Sequence, residues 1–383
     1  MAHELERYRT EFPIVDRRTY LISASLGPLS VRSRAAAEEH LDLWQRLGPE
    51  ELWLDHGLPK LDECRGVLAG ILGASRNEMA LVPSVSAGLS SIATCLDLKE
   101  RPKIVLSAMD FPTNHYVWRA QERRGAELDV VPTPDGIRVD PEEYVARIDD
   151  RTAIVNVNRV LFESSWIVDL EPIVAAAHDH GALVVVDDFH GTGIVPVDVR
   201  STGIDLLLGG VLKWLCGGQG LAFMYCRADL APTLEPLVVG WFGTVDPFSF
   251  DRSGLNLSPD AGRFEAGTYP LPLAWTAAGG LSLISEVGVQ AVRGRNQQLT
   301  GRIIEHVDEA GLELLTPREP ERRGGLVRVR IPGGVDACEK ILHALFDRDV
   351  VVDRRGDALR MSPHFFNNED EIDRCFSELS DLL

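Results

Sequence analysis

The stretch ALVVVDDFHGTGIVPVDVRSTGIDLLLGGVLKWLCGGQGLAFMYCR, from Ala182 to Arg227, decides the fold of this chain. It opens with an apolar run, Leu183 to Val186, followed by two aspartates, which is typical of a buried parallel strand with a carboxylate at its C-terminal end. A second apolar run, Ile204 to Leu208, leads into two glycines and then Lys213. The stretch therefore predicts two neighbouring strands whose ends bring Asp187 and Lys213 together.

Lys213 stands out among the five lysines of the chain because apolar residues and glycines surround it. An ammonium group is costly to bury without a partner, and desolvation lowers the pKa of the amine and makes it nucleophilic. The commonest use of such a lysine is a Schiff base with pyridoxal phosphate, whose pyridine nitrogen needs an acid as partner. Asp187 is predicted to be that acid, and His190 is predicted to hydrogen-bond the phenolic oxygen of the cofactor. The alternative is a pair of loop carboxylates, Asp187 and Asp188, beside a lysine at the edge of the core. The succession of Asp187, His190 and Lys213 at the ends of neighbouring strands favours the cofactor.

Composition limits the class of protein. The 383 residues, 45% hydrophobic and 25% charged, suffice for a large core and a second, smaller domain. A net charge of −19 argues against nucleic acid or an anionic membrane as a partner, and no apolar run is long enough to span a membrane. Six cysteines lack the spacing of zinc sites or disulfide frameworks, and the charged start MAHELERYRTEF lacks the apolar core of a signal peptide. We expect a cytoplasmic protein with reduced thiols and no metal site.

Strand and helix patterns alternate through the first part of the chain, which predicts a doubly wound α/β domain with its site at the carboxyl ends of the strands. The turn after the predicted strand Ala80–Val82 opens a helix. The exposed N–H groups of that turn are predicted to bind the cofactor phosphate, at Ser86 and Ala87 together with Ser84 and Gly88. A plain helix cap with nothing bound is the alternative.

The next strand ends add further candidates. Phe111 follows the predicted strand of residues 103–108 and is expected to stack on the pyridine ring, although a proline-centred surface turn is the alternative. Asn114 comes shortly after it, and Ser164 lies in the loop of residues 158–166. All three residues are predicted to contact the cofactor.

After Tyr225 the sequence changes to glycine-rich and aromatic loops and then to a small α+β pattern. Arg360 lies on a short predicted strand, Ala358–Met361, where a guanidinium can clamp a substrate carboxylate, although a surface arginine is the alternative. We expect three parts: residues 1–30 as an N-terminal segment of the small domain at the active-site entrance, residues 31–285 as the large cofactor-binding domain, and residues 286–383 as the small C-terminal domain.

With these residues in place, the chain resembles the class V aminotransferase-fold pyridoxal-phosphate enzymes (fold type I), and among them the kynureninases most closely. The similar segments are YLISASLGPL around Ser25, DFPTN around Phe111, VVVDDFHGTG around Asp187, LKWLCGGQG around Lys213, GWFG at Trp241, GTYP at Thr268 and LRMSPHFFN at Arg360. The resemblance implies an aspartate aminotransferase-like fold, in which a large domain with a mostly parallel sheet precedes a small C-terminal α+β domain. It also implies a homodimer with shared active sites, in which Trp241 and Thr268 reach the cofactor, partly from the partner subunit, while Ser25 and Arg360 contact the substrate.

The chain differs from the kynureninase pattern at several positions. Leu212 stands in place of the tyrosine before the lysine, Thr244 in place of the histidine of GWFGH, and Asn114 in place of the aspartate of FPTD. Gly210 or Val211 stands where other class V members have a serine. These differences bear on the identity of the substrate more than on the cofactor.

The resemblance implies conversion of an amino acid through Schiff-base and quinonoid intermediates, with Lys213 moving the α-proton and Asp187 keeping the pyridinium charged. Cleavage at the β-carbon by a kynureninase-like lyase or hydrolase of amino acid metabolism is favoured. Aminotransfer by a transferase, C–S bond cleavage and epimerisation are alternatives. Cysteine desulfurase activity is less expected, because Cys338 and Cys375 lie in helical patterns rather than on a mobile loop. The alternative from another class is a non-catalytic scaffold or regulator.

Overall fold

The computed structural model describes residues 5–383 of the chain. Its strands are β1 (Thr19–Tyr20), β2 (Met79–Val82), β3 (Lys103–Ser107), β4 (Glu127–Val131), β5 (Thr152–Asn158), β6 (Leu183–Asp187), β7 (Leu206–Gly210), β8 (Ala222–Cys226), β9 (Glu313–Leu314), β10 (Val327–Arg330), β11 (Val350–Val351), β12 (Asp353–Arg355) and β13 (Ala358–Met361). Its α-helices are α1 (Val31–Arg46), α2 (Pro49–Glu51), α3 (Leu58–Leu72), α4 (Val85–Thr94), α5 (Pro112–Gln121), α6 (Pro141–Val145), α7 (Glu171–Asp179), α8 (Val199–Thr202), α9 (Leu271–Val287), α10 (Val289–Glu309), α11 (Gly334–Asp347) and α12 (Glu369–Ser380). Within this described range, no helix is both long enough and apolar enough to cross a membrane.

Seven strands form the central sheet, in the order β2-β8-β7-β6-β5-β3-β4. The strands β3 to β7 pair in parallel, and β8 runs antiparallel to both of its neighbours. Along β6, Val184 and Val186 pack into one core while Val185 packs into another. Apolar side chains are thus buried on both faces of the sheet, which explains the continuous apolar run in this strand. The predicted doubly wound α/β domain is confirmed.

Polar side chains collect at the carboxyl edge of this sheet. Strands β3, β5 and β6 end at Ser107, Asn158 and Asp187, and β7 ends at Gly210, three residues before Lys213. Helix α4 begins after the end of β2. Strand β8 lies between β2 and β7 and is antiparallel to both, so β2 runs in the same direction as β7 and the other parallel strands. Because parallel strands end at the same edge, the fold brings these residues to one place.

A second sheet of four antiparallel strands, in the order β12-β13-β10-β9, carries Arg360 on β13. The N-terminal segment joins this region, because β1 pairs in parallel with β11 and Ile22 bridges Ser362. Helices α9 and α10, which meet at Gly288, connect the two sheets along the chain. The division of the chain at residues 30 and 285 stays a prediction.

The end of β7 differs from the sequence prediction. The strand was expected to stop at Leu208, but it continues through Gly209 and Gly210. A Cβ at Gly209 would lie 2.4 Å from the ring of Phe223, and one at Gly210 would lie 2.3 Å from the ring of Phe189. The two glycines therefore serve as strand positions on which aromatic rings pack, rather than as a loop.

The segment after Phe111 is helix α5, so the alternative of a proline-centred surface turn is wrong. Pro112 occupies the first helical position, where a backbone N–H would have no intrahelical acceptor, so proline is well tolerated there. Asn114 and Trp118 lie four residues apart and are both buried. A regular element rather than a loop therefore holds Asn114 at the sheet edge.

The N-terminal segment packs directly on the turn that carries Lys213. The amide of Gly27 donates a hydrogen bond to the carbonyl of Leu212 at 2.8 Å, and a Cβ at Gly27 would lie 2.1 Å from the carbonyl oxygen of Lys213. Helix α9 approaches the same turn, since a Cβ at Gly280 would lie 2.4 Å from the carbonyl oxygen of Cys216. Both contacts involve backbone atoms, so only glycine permits these distances.

We expect Gly27→Ala to lower the free energy of unfolding by about 1–3 kcal/mol, because the added methyl group overpacks against the Lys213 carbonyl. The same substitution should weaken the binding of pyridoxal phosphate, since the turn that carries Lys213 must move. Gly70→Ala is the matched control, because Gly70 is exposed on α3 with no atom near its Cβ position. It should raise stability by about 0.5–1 kcal/mol. Urea denaturation and cofactor titration measure both effects, and wild-type values for Gly27→Ala would contradict the packing argument.

Candidate active site

Lys213 and His190 form the centre of the site. The Lys213 Nζ lies 2.6 Å from the His190 Nε2, and Trp214 Nε1 donates to the His190 carbonyl at 3.0 Å. Removal from water lowers the pKa of Lys213 to about 7, although the Asp187 carboxylate acts in the opposite direction. Burial and the neighbouring Lys213 hold the pKa of His190 well below its ordinary value. The site therefore holds an imidazole and an amine that are both uncharged slightly above neutral pH, and an uncharged amine is a nucleophile and a base.

Asp187, the last residue of β6, lies buried at the sheet edge. Its Oδ2 accepts a hydrogen bond from Asn114 Nδ2 at 3.0 Å, and its Oδ1 accepts one from the Phe189 amide at 3.0 Å. Asn114 Nδ2 also donates to Asn158 Oδ1 at 3.0 Å. Burial raises the pKa of Asp187, and the bond from Asn114 and the charge of Lys213 oppose that shift. Asn114, predicted to contact the cofactor, thus orients the carboxylate that was predicted to hold the pyridine nitrogen.

A cavity of about 230 Å³ joins these groups. Its lining consists of Ser84, Val85, Ser86, Phe111, Thr113, Asn158, Val160, Phe162, Asp187, Phe189, His190, Leu212 and Lys213. Six predicted residues from four separate parts of the sequence meet here, namely Ser84, Ser86, Phe111, Asp187, His190 and Lys213. The sequence prediction that Ser86, Phe111, Asp187, His190 and Lys213 lie together agrees with this geometry.

Three phenylalanines form the apolar wall of the cavity. Phe111 and Phe162 contact each other edge to face at a centroid distance of 5.2 Å. The Lys213 Nζ lies 4.4 Å from the ring centroid of Phe189 and 5.9 Å from that of Phe111. These rings keep water from the amine, which is the physical cause of its lowered pKa.

The start of helix α4 forms the other end of the cavity. The side chain of Ser84 caps the helix by accepting a hydrogen bond from the Ala87 amide at 3.1 Å. Val85 and Ser86 line the cavity, and their amides are among the first of the helix, which have no acceptor in a preceding turn. The Ser86 hydroxyl lies 3.0 Å from the Thr113 hydroxyl. An anion is therefore favoured at Val85 and Ser86, whereas the Ala87 amide is already engaged.

These residues fit pyridoxal phosphate, the cofactor expected from the sequence. One cavity offers a helix N-terminus for a phosphate, an aromatic face at Phe111, a buried carboxylate at Asp187 and the amine of Lys213. An anionic group, a flat ring, a basic nitrogen and an aldehyde each have a matching partner in this set. The chemistry of the donor set thus supports the predicted cofactor.

Arg360 lies next to this cavity but is engaged by a carboxylate. Its Nε and Nη2 donate to the two carboxylate oxygens of Asp353 at 2.7 and 2.5 Å, and its Nη1 donates to the carbonyl of Phe162 at 2.5 Å. Ser25, the other predicted substrate contact, is half-buried in the segment before Gly27, and its amide donates to the carbonyl of Ile22. The substrate roles of both residues stay predictions.

Five predicted cofactor contacts do not line the cavity formed by residues 5–383, namely Ala87, Asn114, Ser164, Trp241 and Thr268. The Ala87 amide is hydrogen-bonded to Ser84, and Asn114 is hydrogen-bonded to Asp187. The Ser164 hydroxyl accepts a hydrogen bond from the Trp166 amide at 3.3 Å and stabilises its own loop. Trp241 packs against Phe242 at a centroid distance of 4.1 Å, and Thr268 is exposed. Their contact with the cofactor stays a prediction.

The structure explains two of the differences from the kynureninase pattern. Leu212, which stands in place of tyrosine, adds an apolar side chain to the cavity lining. Gly210 is one of the two positions, with Val211, where a serine is typical, and the ring of Phe189 occupies the space that a Cβ at position 210 would need. Residues 189 and 210 therefore form one packing unit.

Sequence reasoning missed Asn158, Phe162, Phe189 and Thr113 as parts of the site. Phe189 carries a local signal, because it stands between two predicted site residues in the strongest motif. Asn158 also carries one, as the polar last residue of an otherwise apolar strand. Thr113 carries the same kind of signal, since it stands between Phe111 and Asn114 in DFPTN. Phe162 gives no local signal, because only the packing of its loop brings it to the cavity.

Comparison with known sequences gives full-length similarity. The model of the aminotransferase class-V family matches residues 58–374. The chain is 29% identical over 380 residues to the uncharacterized aminotransferase YcbU of Bacillus subtilis, with 99% of this chain and 98% of the relative covered. It is 30% identical to the isopenicillin N epimerase of Streptomyces clavuligerus, with 90% and 88% covered. It is also 30% identical to the kynureninase of Deinococcus radiodurans, with 100% and 93% covered.

Comparison with solved structures gives full-length similarity of fold. The apo cysteine desulfurase of Thermococcus onnurineus NA1 superimposes with a TM-score of 0.88 at 23% identity, with 98% of this chain and 97% of that chain covered. A variant of the cystine C–S lyase C-DES, with glycine covalently linked to its pyridoxal phosphate, superimposes with a TM-score of 0.89 at 19% identity. There the coverage is 97% of this chain and 99% of that chain.

We expect the cofactor-free protein to gain stability relative to its Lys213→Met variant as the pH rises from about 7 to about 10. In this range the unfolded state binds a proton at Lys213 that the folded state, with its lowered pKa, has released. The gain should approach at most about 1.4 kcal/mol per pH unit. Urea denaturation at several pH values measures it, and Lys340→Met, which alters an exposed lysine, is the control. A flat or falling difference for Lys213→Met would contradict the lowered pKa.

Proposed function

We propose a reaction on the premise that this chain belongs to the aminotransferase class-V family of pyridoxal-phosphate-dependent enzymes, with the aspartate aminotransferase-like fold predicted from its sequence. The proposed reaction is cleavage of an amino acid at its β-carbon, as in the kynureninases among its relatives. The observation that carries the proposal is a single cavity in which the amine of Lys213, with a pKa of about 7, contacts His190 close to the buried Asp187.

Each part of the cofactor has a proposed partner. When bound, pyridoxal phosphate supplies an aldehyde that condenses with amines and a ring that withdraws electrons from the α-carbon of an amino acid. The amides of Val85 and Ser86 would hold its phosphate, and the carboxylate of Asp187 would hold its pyridine nitrogen. Phe111 would face the ring, and Lys213 would hold the aldehyde carbon.

Lys213 is the proposed general base. Its lowered pKa leaves a large fraction of the amine uncharged near neutral pH, as a base for the α-proton requires. His190 lies within hydrogen-bond distance and can hold the amine in position or share the proton that it takes up. Arg360 is proposed to bind the substrate carboxylate from the Phe162 side of the cavity. The phenylalanines exclude water during these transfers.

Aminotransfer, epimerisation and C–S bond cleavage remain alternatives, because all three need the same lysine, aspartate and arginine. One related activity is disfavoured by an observation. A cysteine desulfurase needs a reactive thiolate, and reactive thiolates have low pKa values and access to solvent. Burial raises the pKa of all six thiols here, to about 11 for Cys338 and about 12 for Cys375. A non-catalytic scaffold is the alternative from another class, and an intact base and acid in one cavity argue against it.

A homodimer with shared active sites is also proposed. Trp241, Val245 and Phe250 lie in a loop region with many exposed apolar side chains, among them Leu237, which is 74% exposed. Exposed apolar patches of this kind are typical of protein interfaces. Trp241 and Thr268 lie outside the cavity of their own chain, so a partner subunit is the means by which they would reach a cofactor.

A cytoplasmic location is proposed on the basis of the cysteines. All six thiols are free, and five of them are buried. Free thiols persist in reducing compartments. This supports the location expected from the sequence.

We expect Lys213→Ala to lose all turnover and the visible absorbance change that an amino-acid substrate causes. Products identify the reaction in a panel of kynurenine, cysteine derivatives and alanine. Hydrolysis of the Cβ–Cγ bond of kynurenine leaves alanine, β-elimination from a cysteine derivative leaves pyruvate and ammonia, and aminotransfer leaves a keto acid. Lys340→Ala is the control with full activity. Turnover in Lys213→Ala would sink the mechanism, and a wild-type protein that binds cofactor but converts no amino acid would support the scaffold.

We expect two inactive variants, Lys213→Ala and Thr268→Asp, to complement each other. The aspartate would repel the phosphate bound in the partner's site, whereas Lys213→Ala damages its own site. Mixed dimers retain one intact site of two, so refolding an equal mixture should restore about a quarter of wild-type activity. The control is a mixture of the Lys213→Ala variant with the Lys213→Ala/Thr268→Asp double variant. It should recover no activity, because every site lacks Lys213. Mixed dimers that form but stay inactive would rule out shared sites.

A further inference from the structure

The pair of Asp353 and Arg360 is built into the register of the second sheet. Strands β12 and β13 run antiparallel, and Asp353 stands directly opposite Arg360. Residues opposite each other in antiparallel strands present their side chains to the same face. The side chain of Arg360 is 3% exposed, and the Asp353 side chain is 15% exposed. The ion pair is therefore fixed by the backbone and largely shielded from water.

The hydrogen bonds of Arg360 leave one edge of its guanidinium available. Arginine carries five N–H donors, one on Nε and two on each Nη. Asp353 accepts from Nε and Nη2, and the carbonyl of Phe162 accepts from Nη1. Among residues 5–383, one N–H on Nη1 and one on Nη2 have no acceptor, and donors on these two nitrogens suit a carboxylate. Since Phe162 lines the cavity of Lys213, the Nη1 end of the guanidinium lies beside that cavity.

The charges on this face of the sheet leave room for one more anion. Arg328 stands opposite Arg360 on β10, and its Nη1 is paired with Glu163 at 2.9 Å. Arg355 lies two residues after Asp353 on the same strand, with its Nη1 3.5 Å from the Asp353 carboxylate. Around Arg360, three guanidinium groups thus share two carboxylates, while Arg330 farther along β10 pairs with Glu313 and Asp357. The one positive charge in excess beside Arg360 matches the single negative charge of an α-carboxylate.

We propose that Asp353 is a positioning residue for substrate recognition. By holding the Nε–Nη2 edge of Arg360, it presents the Nη1–Nη2 edge to the α-carboxylate of the substrate. Because a buried ion pair typically contributes little net stability compared with apolar residues of similar volume, we assign orientation of the guanidinium as the role of this contact. This inference rests on the proposed function, in which Arg360 binds that carboxylate.

The test measures binding rather than turnover. Glycine and glycinamide differ in the carboxylate alone, and the visible absorbance of the cofactor-loaded protein reports the Kd of each. We expect Asp353→Asn to weaken glycine binding about tenfold and to leave glycinamide unchanged. Arg360→Lys should weaken glycine similarly, and the double variant should be no weaker than Arg360→Lys, because the two residues act through one contact. Asp353→Glu should recover part of the affinity.

A matched control is Glu339→Gln, which removes the 2.9 Å ion pair of Arg354, the neighbour of Asp353 on β12. It should leave both Kd values and the cofactor affinity unchanged. Two results for Asp353→Asn would overturn the positioning role: wild-type binding of glycine, or equal losses of affinity for glycine and glycinamide. Neither result would change the proposed role of Arg360 in binding the carboxylate. Two other results would contradict the proposed function and this inference with it. One is wild-type glycine binding in Arg360→Lys, and the other is a wild-type protein whose absorbance responds to neither compound.

Discussion

An uncharged amine held away from water beside an imidazole is the constraint on which this structure depends. The Lys213 Nζ lies 2.6 Å from the His190 Nε2, in surroundings that lower the pKa of both groups. Three phenylalanines, a sheet edge buried on both sides and a backbone turn packed against Gly27 provide that dry environment. Much of the fold around the site can be understood as the structure needed to keep one amine at a pKa near neutrality.

The acid of the site has its own supporting structure. Asp187 connects through Asn114 to Asn158, whose amide in turn donates to a second buried carboxyl group, Asp110, at 3.3 Å. Burial raises the pKa of Asp110 to about 7, against the hydrogen bonds that it accepts from Ser107 and other donors. This network joins β3, β5, β6 and α5, so the acid is held by four elements at once. Such connected polar groups fix one arrangement of a core because each lost partner would leave another group unsatisfied.

The sequence predicted what local patterns encode. The strand ending in Asp187, the isolated Lys213, the helix start at Ser84 and the aromatic residue at 111 are each visible within a few residues, and all are found in one cavity. The ion pair between Arg360 and Asp353 was not predicted. It depends on the register of the short neighbouring strands β12 and β13, which places two residues seven positions apart in the chain opposite each other. The helix after Phe111 was missed because its apolar positions are few and a proline begins it.

Contacts between distant segments account for the remaining differences. Ser164 was assigned to the cofactor by its place in a loop at a strand end, and Trp241 and Thr268 were assigned by resemblance. Neither spacing nor periodicity reveals which subunit a loop serves. Phe162 enters the site because the loop after β5 folds back over the sheet edge, where its carbonyl also meets Arg360. Local sequence thus predicts the reactive groups, whereas the groups that orient them come from tertiary packing.

The packing of Phe189 on Gly210 couples the residues at these two positions. A Cβ at position 210 would lie 2.3 Å from the Phe189 ring, so a larger residue there would require that ring to move. The effect of a substitution at either position therefore depends on the residue at the other, because both side chains draw on the same volume. Variants at positions 189 and 210 are best made and interpreted as pairs.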